Sequence, residues 1–160
     1  MDPTDVVTAP ATGHQHRITT AVNCDTENNI YGIFCNKPDC DEVYVGKCSR
    51  RFGVRLNEHR SAVKRKQLSQ EVANHFNQPG HSVQNLRAVV LEKVRNKDPF
   101  VLKAREHLYI GPRRFDAFNQ GMNKEPWLNF SLASAGFFKI FSRPKLDILN
   151  LLSNWYRNII

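Results

Sequence analysis

No uninterrupted apolar stretch in this chain of 160 residues approaches the roughly 20 residues that a membrane-spanning helix needs, which predicts a protein with no membrane partner. The first residues, MDPTDVVTAPATGHQHR, lack the apolar core of a secretory signal. Cysteine is scarce: four in this length are too few for a disulfide scaffold. Together these shortages predict a reducing compartment, the cytoplasm or nucleus. Acidic charge is also short, with 15 Asp and Glu against 23 Lys and Arg, and the resulting net charge of +8 favours a polyanionic partner. There is no internal repeat and no low-complexity run. What remains is a chain whose hydrophobic fraction of 41% suffices for one domain with one core.

Local patterning predicts an α+β fold with a small, mostly antiparallel three-stranded sheet flanked by helices. Residues 1–23 are polar and without periodicity, and read as a flexible N-terminal segment. ENNIYGIFC and EVYVGK read as two strands of a hairpin, joined by the breaker CNKPDCD. Residues 49–66 read as a helix capped by Ser49, in which Phe52, Leu56, His59 and Val63 form one stripe and Arg55 borders it. A short helix is predicted over 69–77 with Ser69 as its cap, then a break at QPGHS and a third strand over 84–94. Asp98-Pro99 is a strong helix start, and that helix should run to Tyr109 or Ile110, followed by loop over 113–126. The tail over 126–160 has no clean period until a helical stripe at Ile148, Leu151, Leu152 and Trp155; it could pack on the domain, bind a partner, or be an extension with no fixed fold.

Two helical positions carry unusual chemistry. Glu106 has Leu102 four residues before it and Tyr109 and Ile110 after it, so it falls within an apolar stripe. A carboxylate buried there should take up a proton, a cation or a metal. His59 has the same character in the preceding long helix. Basic residues crowd around it: Lys47, Arg50, Arg51, Arg55, Arg60, Lys64, Arg65 and Lys66 fall within twenty positions, a band suited to phosphate contacts.

The order IY (Tyr31), YVG (Tyr44), RxxxH (Arg55 and His59), Glu106 on a later helix and GMN (Asn123) resembles the GIY-YIG nuclease family over residues 24–125, with Asn29 where the first motif has Gly and YVG in place of YIG. The resemblance implies a metal-dependent DNA endonuclease that nicks phosphodiester bonds. It assigns Glu106 to one Mg²⁺, Arg55 to charge on the phosphoryl oxygens, and Asn123, or Asn119 if the alignment slips, to holding the site. It leaves the proton acceptor open among Tyr31, Tyr44 and His59.

The CxxxxC insertion, VANHF-x4-H and GMN extend the likeness to the nuclease domain of Penelope-like retroelements, where a nick supplies a 3′ hydroxyl for reverse transcription. The matching ligands are Cys35, Cys40, His75 and His81, and C-x4-C with H-x5-H are spacings that suit a structural, tetrahedral Zn²⁺. Cys24 is a possible substitute ligand, and Cys48 reads as a small packed residue. The chain is too short for a reverse transcriptase, which implies a detached, domesticated or partial module. Two other readings stand beside it: a catalytically silent nucleic-acid-binding module with a zinc site, and a decayed reading frame with no stable product.

Overall fold

The structure is a computed structural model, and it describes residues 5–111, 114–117 and 119–124. The expectations for residues 126–160 lie outside the described residues. The elements are β1 (Val6–Thr8), β2 (Gln15–Arg17), β3 (Asn29–Cys35), β4 (Val43–Cys48), α1 (Phe52–Lys64), α2 (Glu71–Phe76), a 3-10 turn (Val83–Asn85), β5 (Leu86–Lys93) and α3 (Pro99–Ile110). Among the described residues no helix is long and apolar enough to cross a membrane.

The expected three-stranded sheet is present, in the order β4-β3-β5, with both pairings antiparallel. β3 is central because its run NIYGIFC is buried at every position and can be covered on both faces. Strand alternation sends Tyr31 toward α1, where its ring lies 5.3 Å from that of Phe52. Phe34 points to the other face and meets Phe115 at 5.9 Å.

The helices follow their apolar spacing more closely than their predicted caps. Phe52, Leu56, His59 and Val63 of α1 are all buried, as the stripe predicts. Ser49 does not cap the helix: the carbonyls of Thr26 and Cys24 accept the N–H groups of Phe52 and Gly53 at 3.0 and 2.7 Å, so a neighbouring loop satisfies the free donors. α2 is shorter than predicted, and Ser69 lies in the turn before it. α3 starts as read, with the Asp98 side chain accepting the Phe100 N–H at 2.8 Å and Pro99 at the first position.

The flexible N-terminal segment is a correction. Residues 6–17 form an antiparallel hairpin, β1 on β2, and Val7, Ala9, Ile18 and Val22 are buried. Gly13, at a φ of 67°, closes its turn and donates its N–H to the Ala9 carbonyl at 2.9 Å. His16 ties the hairpin to the sheet, its Nε2 donating to the Leu91 carbonyl at 2.8 Å. Three-residue strands are too short to display an alternating pattern, which is why composition alone suggested disorder. The segment after α3 is likewise more packed than a loop reading implies, since Phe115, Ala117, Met122 and Asn123 are buried.

Candidate active site and candidate metal centre

Four consecutive residues of β4, Tyr44-Val45-Gly46-Lys47, gather the side chains singled out by the motifs. Tyr44 packs its ring against His59 at 5.6 Å. Val45 is held by Asn123, whose Oδ1 accepts its N–H and whose Nδ2 donates to its carbonyl, both at 2.8 Å. Gly46 faces Tyr31 in the strand register, and a Cβ there would stand 2.6 Å from the Tyr31 hydroxyl, so only glycine leaves room for that ring. Lys47 meets Glu106 twice: its N–H donates to Oε1 at 3.0 Å and its Nζ to Oε2 at 2.8 Å. β4 is the outer strand of the sheet, and its outward groups on Val43, Val45 and Lys47 are taken up by the Met122 N–H, Asn123 and Glu106.

Arg55 joins through Tyr31. Its Nε donates to the Tyr31 hydroxyl oxygen at 3.1 Å, and the Tyr31 O–H donates to His59 Nε2 at 2.8 Å. The His59 proton is therefore assigned to Nδ1, which is buried and unpartnered among the described residues. Tyr31 is fully buried, and that burial raises its phenol above the ordinary value, with Tyr44 adding to the effect and Arg55 opposing it. Tyr44 is only partly buried; burial and then the carboxylates of Glu71 and Glu106 push its phenol up to about 12, against Arg55. All six predicted residues thus converge, but on unequal terms: Tyr31 is enclosed and Tyr44 reaches the surface. Asn119, the fallback for Asn123, is exposed and bonded to Asp116 at 2.7 Å. Asn29, in the first motif's Gly position, is buried and donates to the Thr26 carbonyl at 2.8 Å, bracing the same loop that caps α1.

Burial lowers His59 from 6.5 to about 4, with Arg55 adding to it and Glu58 opposing it. Because its folded pKa lies below its unfolded one, the unfolded chain binds the proton more readily between these values. Stability is then expected to be lost as pH falls from about 6.5 to about 4, by roughly 3 kcal/mol for this residue. Urea unfolding at pH 7, 5.5 and 4 measures this, and His59→Gln should flatten the slope; an equal slope in the variant counts against the assignment.

The basic band divides in two. Lys47 is engaged by Glu106, Arg50 pairs with Glu58 at 2.8 Å, and Arg51 lies 3.9 Å from Asp25 and 4.0 Å from Glu27. Arg60, Lys64, Arg65 and Lys66 are exposed, with no acidic partner among the described residues. Sequence reading missed Glu58, which also binds Arg55 at 3.1 Å; its position three residues after Arg55 was the available signal.

A second cluster lies at the loop end of the β3–β4 hairpin. Cys35 ends β3, Cys40 sits in the hairpin loop, His75 is on α2 and His81 follows the turn at Gly80. Their ligand atoms all lie within 4.8 Å of one another, a cage that could hold a metal ion. That span is slightly wider than the edges of about 3.3–3.8 Å implied by tetrahedral zinc bond lengths, so a modest contraction suffices. His81 Nδ1 faces the Pro79 carbonyl at 3.3 Å, while its Nε2 is buried with no partner among the described residues. Cys40 Sγ is 3.7 Å from His75 Nε2. Burial raises the Cys35 thiol and lowers the His75 imidazole. Cys24 is not in this cluster but is exposed beside the start of α1, and Cys48 is buried with Sγ donating to the Arg50 carbonyl at 3.1 Å. Between the two sites runs an open cleft of about 350 Å³ whose lining includes Glu42, Glu71, His75 and Asn123.

Comparison with protein-family models, with curated proteins and with solved structures gives no match to this chain.

Proposed function

We propose that this chain is a metal-dependent DNA endonuclease of the GIY-YIG kind, similar to the module of Penelope-like retroelements, which nicks one phosphodiester at a time. The observation that carries the reading is the convergence of Tyr31, Tyr44, Arg55, His59, Glu106 and Asn123 on one four-residue stretch of β4. Glu106 fits Mg²⁺: it is a single carboxylate with one oxygen held by a backbone N–H and the other facing a partly exposed ammonium. Bound there, the ion supplies Lewis-acid charge to a phosphate oxygen.

The chain's own groups do the rest. The Arg55 guanidinium offsets charge on the phosphoryl oxygens and holds the Tyr31 hydroxyl. Tyr31 is the enclosed node that keeps Arg55 and His59 in place. Tyr44 is the phenol that solvent and a phosphodiester reach, and it positions the attacking water. Asn123 fixes the strand that carries Tyr44. The Cys35, Cys40, His75 and His81 set, two thiols and two imidazoles, suits structural Zn²⁺. A plasmid-nicking assay with and without Mg²⁺ tests the reading. Conversion of supercoiled to open-circular DNA only with Mg²⁺ is the expected result; no conversion in either condition overturns it.

A second reading, a catalytically silent nucleic-acid binder, is favoured by the Lys47 ammonium, which holds Glu106 Oε2 at 2.8 Å where a cation would sit. In both readings Lys64, Arg65 and Lys66 contact phosphates. Replacing all three with alanine is expected to reduce the slope of log K against log salt by about 3, at roughly 0.9 per phosphate contact. Fluorescence anisotropy across a salt series measures it. Binding without Mg²⁺-dependent nicking would select this second reading.

A further inference from the structure

His75 is 2% exposed and presents one ring nitrogen to each of two neighbours. Nε2 faces Cys40 Sγ at 3.7 Å, and Nδ1 faces Glu42 Oε2 at 3.1 Å. The latter approach lies off the hydrogen-bond line, and Nδ1 has no other partner among the described residues. Glu42 itself is fixed from behind: its carbonyl accepts the Cys35 N–H at 3.2 Å, closing the loop that carries Cys40. Its carboxylate is the part free to serve His75, with 43% of its side-chain surface still exposed.

We propose that Glu42 is a positioning residue of the metal cluster: its carboxylate receives the Nδ1–H of His75, fixes the ring's tautomer, and leaves the Nε2 lone pair for a metal ion shared with Cys35, Cys40 and His81. This rests on the zinc reading of the cluster given above. The physical need is general. A metal-bound imidazole is neutral, and the partner of its other nitrogen decides which nitrogen carries the proton and how basic the free one is. His81 obtains the same service from a backbone carbonyl, that of Pro79 at 3.3 Å. The two histidines are thus oriented by different means, one by a neutral carbonyl and one by a carboxylate. Nothing in the spacing of CNKPDCDE marks Glu42 for this task, because its partner is 33 residues away along the chain.

The test is zinc affinity by competition with a chromophoric chelator, on the whole chain, for wild type, Glu42→Gln and Glu42→Ala, together with the absorption of the Co²⁺-loaded forms. Glu42→Ala is expected to weaken zinc binding by about 10- to 100-fold, with Glu42→Gln between it and wild type. The Co²⁺ thiolate bands should persist in both, since the ligand set is unchanged, and the melting temperature of the metal-free variants should match that of metal-free wild type. Equal zinc affinity in all three proteins overturns the role of Glu42 while leaving the cluster in place. A change in the cobalt d–d bands of Glu42→Ala, with the thiolate charge-transfer bands kept, overturns it by making Glu42 a ligand. Absence of zinc binding in the wild type removes the cluster reading, and this inference with it.

Discussion

Replacing Glu106 with alanine is expected to lower Mg²⁺-dependent plasmid nicking by about a thousandfold, the equivalent of roughly 4 kcal/mol of transition-state stabilisation from a bound cation. The fold should survive the change. The carboxylate sits at the side of α3, and what it leaves behind are the Lys47 N–H on the outer strand and the half-exposed Lys47 ammonium. Glu106→Gln separates the two roles: it retains an acceptor for that N–H but removes the charge, so it should melt like wild type and nick like the alanine variant. Nicking at the wild-type rate in Glu106→Ala, with circular dichroism unchanged, would discard the proposed site. Lys47 is relevant here. Its ammonium lies 2.8 Å from Oε2, in the position of an electrostatic stand-in for a cation, and would have to give way to the proposed Mg²⁺.

Metal removal carries the second large effect. A metal held by the cluster would fasten the β3–β4 loop to α2 and to the turn after it, joining segments some forty residues apart. With free zinc at a thousand times its dissociation constant, chelation is expected to cost about 4 kcal/mol of stability. For a chain of this size that is a fall of roughly 10 °C in melting temperature. Calorimetry with and without chelator measures it. Cys40→Ser should bind zinc less tightly and show a correspondingly smaller response. A wild-type melting curve that chelation does not move would remove the structural role of the cluster.

What was legible in advance follows from how physics writes itself into a chain. The α1 stripe is a periodic signal and β3 is a continuous apolar run, and burial at Phe52, Leu56, His59 and throughout β3 matches them. Asp98-Pro99 is a local chemical device, and the α3 start follows it. The helix α1 start was not legible, because its cap comes from carbonyls on another segment, Cys24 and Thr26. The N-terminal hairpin was hidden for a related reason: its order comes from long-range contacts such as His16 with Leu91, not from a pattern within its three-residue strands. At the candidate site the residue types and their order could be read, whereas the pairings Lys47 with Glu106 and Glu42 with His75 could not, since each joins a helix to β4 or to the loop before it and depends on how those elements pack.

The outward side of β4 has a consequence for how the protein behaves at high concentration. An uncovered strand at the margin of a sheet is a template on which a second chain can add, the first step of aggregation. Here Asn123 and Glu106 occupy the backbone groups that such a neighbour would need. Residues proposed for cleavage therefore also act as gatekeepers against self-association. Variants at Asn123 would bare the donor and acceptor of Val45 together, inviting intermolecular strand addition as well as local loosening.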